Sequence, residues 1–272
     1  MNKDVPWRQL KGGGGRESPM LFEELGIRER DYQKIGEHLD LDRKRLDYDT
    51  FYTFYQDFVV NAVNTAPDGW TRYVAGGVSS PVSSAHGGVP TGMWQCSPGE
   101  GGTASVYHGL SAGDYSPLRT QFNPVVVFRY AQRTNGTTAA IHYIWLGIGD
   151  AASFIQNADT DFSSFIGFRF TVQGAAITLV AVTRTGGAET ITTLTDNAIT
   201  VFDTYRIEVT QATSVKFFIN GHLVATHTAN IPSLGTQLTP GLRNRCNAGG
   251  NGGVATLLDT AYGWSLRIAT QT

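Results

Sequence analysis

Residues Val215-Lys-Phe-Phe-Ile-Asn-Gly-His-Leu-Val-Ala-Thr-His227 decide the fold. Two β-prone runs flank Asn220-Gly221, and a two-residue type I′ loop needs φ > 0 at both central positions, which Asn and Gly tolerate. The stretch predicts a hairpin. With those two residues as the loop, Ile219 faces His222, Phe217 faces Val224 and Val215 faces Thr226, since partners count symmetrically away from the turn. One surface then carries Val215, Phe217, Ile219 and Val224 and should be buried. The other carries Lys216, Phe218, Leu223 and Ala225, too apolar for a plain solvent face, which places the hairpin inside a layered sheet rather than at its rim.

Outward from the hairpin the same texture continues. Short β-prone runs cover Trp70–Val74, Gly92–Cys96, Ala104–Leu110, Val125–Gln132, Ala139–Leu146, Ser164–Val172, Ile177–Arg184, Glu189–Leu194, Ala198–Thr210, Gln237–Arg243 and Ala255–Ile268. Turn signals separate them, among them Pro67-Asp68-Gly69, Ser97-Pro98-Gly99, Asn135-Gly136, Gln173-Gly174, Gly186-Gly187 and the run from Asn247 to Gly253. The aromatic stretch from Tyr48 to Val60 should begin the sheet. So many short strands, with no helix-length segment between them, predict an all-β, two-layer antiparallel jelly-roll sandwich.

Charge marks the boundary of that domain. Residues 1–62 hold ten of the chain's 21 Lys/Arg and twelve of its 23 Asp/Glu, although the chain has 272 residues. Residues 1–47 are therefore expected to be an appendage and 48–272 the jelly-roll domain. Val5-Pro6-Trp7, Gly12 to Gly15 and Ser18-Pro19 interrupt any regular element, so positions 1–20 should form an extended arm. Leu21, Phe22, Leu25, Ile27, Tyr32, Ile35, Leu39 and Leu41 fall at mixed helical spacings among charges and predict one or two short helices. Helices that short bury little alone, so they must pack on the β domain or another chain.

Composition excludes several classes. A net charge of −2 gives no electrostatic reason for nucleic acid binding. No basic-then-apolar leader pattern opens the chain and no run of eighteen apolar residues occurs, so neither secretion nor a membrane span is predicted and synthesis in the cytoplasm is expected. Cys96 and Cys246 are too few and too far apart for a disulfide framework or a zinc site and read as buried free thiols.

Taken together, Trp145-Leu-Gly-Ile-Gly-Asp150, Ile166-Gly-Phe-Arg-Phe170, Val182-Thr-Arg-Thr-Gly-Gly-Ala-Glu-Thr190, Tyr205-Arg-Ile-Glu-Val209, the hairpin itself and Ile231-Pro-Ser-Leu234 resemble, in order and spacing, the concanavalin A-like (laminin G-like) jelly-roll domains of tailed-bacteriophage virion proteins. The resemblance covers roughly residues 120–270. It implies a virion-borne structural or adhesion module and leaves its place in the particle open.

Chemistry-bearing motifs are sparse. Gly147-Ile-Gly149-Asp-Ala-Ala152 approximates a dinucleotide fingerprint, but strands surround it where that motif requires a helix receiving the pyrophosphate, so a tight strand-to-loop turn is expected and no cofactor. Concanavalin A-like sandwiches include glucanases with paired carboxylates on one strand. The close acidic pair of the β region, Asp159 and Asp161, instead falls in a polar loop, so a glycosidase is not predicted. Asn157, Asp159 and Asp161 alternate as calcium-loop ligands do, yet Phe162 stands where the sharp turn needs Gly and Phe168 where a bidentate Glu belongs. A solvated turn is the expectation. His86, His108, His142, His222 and His227 show no metal-ligand spacing.

Two regions remain for function. The Gly-rich loop Ala85-His-Gly-Gly-Val-Pro-Thr-Gly-Met-Trp94, with Gly99 to Gly102, is a candidate ligand or partner loop through His86 and Trp94. The arm and helices offer Trp7, Arg8, Arg16, Phe22 and Leu25 as assembly anchors. The expected protein is a non-enzymatic virion component: capsid decoration or cement held by its arm, or else a tail, baseplate or fibre adhesin for a bacterial surface glycan. Expected partners are the major capsid protein or tail proteins and further copies of the chain, with no nucleic acid and no membrane.

Overall fold

The structure is a computed structural model and describes residues 51–57, 70–82, 93–108, 118–134, 140–155, 162–174, 176–195, 202–247 and 254–266. The expected arm and helices of residues 1–47 lie outside them. Fourteen strands run through these residues: β1 (Phe51–Asp57), β2 (Trp70–Val82), β3 (Met93–His108), β4 (Leu118–Arg119), β5 (Val125–Thr134), β6 (Ile141–Gly149), β7 (Ser164–Gln173), β8 (Ala176–Thr185), β9 (Ala188–Leu194), β10 (Asp203–Thr210), β11 (Ser214–Ile219), β12 (His222–His227), β13 (Gln237–Cys246) and β14 (Val254–Leu266). One helical turn, α1 (Ala151–Phe154), follows β6. All strand pairs are antiparallel, as the alternating pattern of the sequence requires.

The strand order is β12-β11-β10-β5-β14-β3-β13-β6-β7-β8-β9, with β1 on β14, β2 on β3 and β4 on β13. A single hydrogen-bonded sheet thus folds over to make both layers, and β3 is the strand that changes layer. Its first part pairs with β14 (Trp94↔Leu258, Cys96↔Thr256) and its last part with β13 (Thr103↔Arg245 to Tyr107↔Gly241). The corner lies between them. Opposite it, β2 skips register between Ala75 and Gly77, where Gly76 (φ 72°) and Gly77 (φ 126°) adopt backbone that L side chains rarely reach. A Cβ on Gly77 would lie 2.5 Å from the Ser97 carbonyl oxygen and 2.6 Å from the Gly99 nitrogen, so the two chains cross there without room for a methyl group. Ser97-Pro98-Gly99, read from sequence as a turn between two strands, is therefore the bend of one continuous strand. Sheets that switch layers do so at such bulges.

The core fills the space between layers. Tyr130 of β5, Tyr205 of β10 and Phe217 of β11 face Phe168 and Phe170 of β7, with centroids 5.0 Å apart for Tyr130–Phe170 and Phe168–Tyr205 and 5.5 Å for Phe168–Phe217. All five are buried. Offset and edge-to-face contacts of this kind add to the area they bury.

A second, smaller core lies on the outer face of the β13-β6-β7 layer. Gly241, Gly147 and Gly167 are directly opposite one another on these three strands. Over that glycine floor lie Tyr107, Phe154, Phe162 and Phe165, with centroids 4.8 to 5.4 Å apart for Tyr107–Phe154, Phe154–Phe162 and Phe162–Phe165. Gly147 and Gly149 of the dinucleotide-like motif are thus small because rings pack on them. β6 runs through Gly149, and Asp150 then caps α1, a helical turn the sequence reading did not anticipate. The Asp150 carboxylate accepts from Ser153 N and Ser153 Oγ and, on its other oxygen, from Ser163 Oγ (3.0 Å) and Ser164 N (3.1 Å). It ties both ends of the 150–164 connection together. Asp150→Ala is expected to cost about 1–2 kcal/mol, the range for losing a helix cap, read as a lower urea midpoint at unchanged m-value.

The 215–227 hairpin forms with one change of register. Asn220 (φ 50°) and Gly221 (φ 79°) make the turn and Ile219 pairs with His222, but Phe218 then pairs with Leu223, Phe217 with Ala225 and Val215 with His227. Val224 is the bulged residue. The bulge turns Ala225 and His227 inward in place of Val224 and Thr226, so the β12 half of the expected inner surface is corrected while Val215, Phe217 and Ile219 are buried. The hairpin also lies at the rim, since β12 ends the strand order.

Candidate docking face

The outward surface of β10, β11 and β12 presents the most exposed large hydrophobic side chain among the described residues, together with its supports. Register aligns Arg206, Phe218 and Leu223 across the three strands, and Glu208, Lys216 and Thr226 in the next row. Leu223 is 55% exposed and Phe218 is half-buried. The Arg206 guanidinium carbon stands 4.0 Å from the Phe218 ring centroid, and Arg206 Nε lies 3.4 Å from Glu208 Oε1. An Arg flattened on an aromatic ring beside an exposed leucine is a pre-ordered contact surface: its side-chain entropy is already partly spent, and Arg and aromatic residues dominate binding hot spots.

The turn holds this surface in place. Asn220 Nδ2 donates to Asp203 Oδ1 (2.7 Å) and Thr204 N donates to Asn220 Oδ1 (2.9 Å), fastening the hairpin tip to the start of β10. Along the same layer face the Arg206 row continues through Val127 to Tyr262, and the Glu208 row through Val125 to Trp264. Tyr262 and Trp264 rings are stacked, 6.4 Å apart and 17° from parallel, with Trp264 half-buried and Tyr262 buried.

The residues singled out from sequence fare differently. Trp94 lies on β3 in the main core, 1% exposed, so its indole offers no face to a ligand and the expectation of a ligand-contacting ring is corrected. Its position in a Gly-rich neighbourhood concealed this, because the glycines at 99 to 102 serve the corner of the sheet. His86, Trp7, Arg8, Arg16, Phe22, Leu25, Asn157, Asp159 and Asp161 lie outside the described residues. Cys96 and Cys246 are buried free thiols. Among the described residues no group of three or more His, Cys, Asp or Glu comes together to hold a metal ion, and no helix is long and apolar enough to cross a membrane.

Among the described histidines, His222 is exposed and the others are wholly or partly withdrawn from solvent. His142 and His227 are buried, His108 is partly so, and burial lowers all three below the ordinary value of 6.5, with Asn244 bonding partly opposing the effect at His142. His142 Nδ1 is 3.1 Å from Asn244 Oδ1, while Asn244 Nδ2 donates to the carbonyls of Cys96 and Val254. That amide caps carbonyls of β3 and β14 where the layers join.

No family model matches the chain, and no curated protein matches it. Among solved structures, a protein of unknown function from Shewanella oneidensis MR-1 is similar over 96% of this chain and 99% of its own, at 11% identity and a TM-score of 0.53. The globular domain of T. cruzi calreticulin is similar over 79% of this chain and 87% of its own, at 10% identity and a TM-score of 0.50. The carbohydrate recognition domain of Emp47p gives 82% and 98%, 12% identity and 0.48. What the first two share with this chain is a fold, the all-β antiparallel sandwich expected from the sequence.

Proposed function

We propose that the chain is a non-enzymatic structural module of a tailed-phage virion that docks onto another virion protein, as capsid decoration, through the Arg206–Phe218–Leu223 face. Two lines support the reading: the resemblance of residues 120–270 to virion jelly-roll domains, and an outward row in which an exposed leucine adjoins an arginine stacked on phenylalanine. The second line carries it. The row sits on the hairpin most firmly specified by the sequence, on strands whose inner faces lock into the core, so its geometry is set before any partner arrives.

The test uses particles assembled with Phe218→Ala combined with Leu223→Ala. Both side chains point out of the core, so the protein should stay folded, while copies per particle on quantitative gels should fall at least about tenfold, the loss of one modest hot spot. Wild-type copy number would overturn the reading. A second reading has its own observation, the half-buried Trp264 ring backed by the near-parallel Tyr262 ring beneath it, which suits stacking on a sugar face in a host-surface adhesin. Glycan-array binding by the full chain that is lost in Trp264→Ala, with particle incorporation unaffected in the double variant, would establish it instead.

A further inference from the structure

The two ends of the strand order, β12 and β9, meet, and one side chain joins them. His227 of β12 is 2% exposed and its ring lies 4.9 Å from that of Phe217. Thr183 Oγ1 of β8 donates to the Ala229 carbonyl (2.8 Å), so its contact with His227 Nδ1 (3.1 Å) is one in which Nδ1–H donates. Nε2 then accepts from Thr192 Oγ1 of β9 (2.9 Å). Thr190 Oγ1 adds a bond to the Ala229 carbonyl (3.3 Å), and Asn230 Nδ2 donates to Thr190 Oγ1 (3.0 Å). With the ring neutral, the Nδ1–H tautomer completes both contacts.

Adding a proton at Nε2 reverses the Thr192 bond, whose hydroxyl must then accept, and leaves a cation buried between two hydroxyls and a phenylalanine. Among the described residues no carboxylate pairs with it. On β8 and β9 the alternation of the strands turns Arg184 and Glu189, which pair with each other at 3.0 Å, to the opposite face. On β11 Lys216 points outward with Thr226, and His222 of β12 is exposed beside the turn. We propose that His227 is a proton-operated latch, whose protonation releases the β11–β12 hairpin from β8 and β9 while the rest of the sandwich stays closed. Burial already lowers its affinity for a proton. A histidine with a lowered folded value contributes its full stability above the unfolded value of about 6.5 and loses it as pH falls through the folded one, so release belongs to the acid side.

Hydrogen exchange of the full chain at pH 7.5 and 5.0, corrected for intrinsic rates, reads the latch directly. At pH 5.0 amides of residues 188–194 and 222–227 should exchange at least about tenfold faster than at pH 7.5, with 141–149 and 164–173 unchanged. His227→Gln should abolish the difference between the two pH values, and His142→Gln should retain it. Equal protection at both pH values in the wild type, or a response surviving in His227→Gln, would overturn the proposal. If His227→Gln does not fold, imidazole NMR titration of the wild type decides: a neutral Nδ1–H ring titrating below the ordinary histidine value is expected, and titration at or above that value would refute the latch.

Discussion

Gly167→Ala is expected to lose about 3 kcal/mol of unfolding free energy, the upper range for forcing a methylene into a packed site. A Cβ there would meet the Leu146 carbonyl oxygen and lie 2.7 Å from Phe165 Cζ and 2.8 Å from Gly147 Cα. Two of those contacts are backbone of the neighbouring strand and cannot swing aside. The ring could move only by lifting off Gly147, whose own Cβ position is 3.0 Å from the same Cζ atom. The strain therefore spreads across β6 and β7. Gly235→Ala is the control: nothing lies within 4 Å of its Cβ position, and its stability should change by no more than about 0.5 kcal/mol. Urea unfolding of the two variants side by side makes the comparison.

Adjacent residues on β11 should differ as sharply. Phe217→Ala empties a site buried between the layers, against Phe168 and His227, and should cost about 3–5 kcal/mol. Phe218→Ala removes an outward ring and its Arg206 contact, and should cost about 1 kcal/mol or less. The bulge makes this test informative on the other strand too: Ala225 is buried and Leu223 exposed, so Ala225→Asp should unfold the hairpin where Leu223→Asp should not. Equal losses at 217 and 218 would mean that the register is wrong.

Much of the scaffold is legible in the sequence because its signals are local. Asn220-Gly221 fixes a turn through positive φ at both positions, and most strands are bounded by comparable turn chemistry. The bulge at Val224 is not local. It places His227 against Thr183 and Thr192, residues 35 to 44 positions away, a juxtaposition that no property of the hairpin itself reveals. The corner at Gly76, Gly77 and Gly99 to Gly102 misled for a related reason. Glycine marks loops and close chain crossings alike, so Gly99 to Gly102, a bend inside one strand, read as part of a candidate loop with Ala85 to Trp94, of which residues 83–92 lie outside the described residues and Trp94 is buried.

The docking face was half visible. Phe218 and Leu223 stood out as too apolar for a plain solvent face, but that pointed to a covering layer, whereas the structure leaves Leu223 exposed and Phe218 half-buried at the rim. Arg206 carried no signal, because only pairing of β10 with β11 brings its guanidinium over the ring. Trp264 and Tyr262 alternate correctly for a shared face, but composition gave no reason to separate them from core aromatics.

Cryo-electron microscopy of intact particles tests the central claim most directly. The jelly roll is expected on the capsid with Arg206, Phe218 and Leu223 buried against a neighbouring virion protein. A particle map showing that row facing solvent, with the module held through another surface, would contradict it.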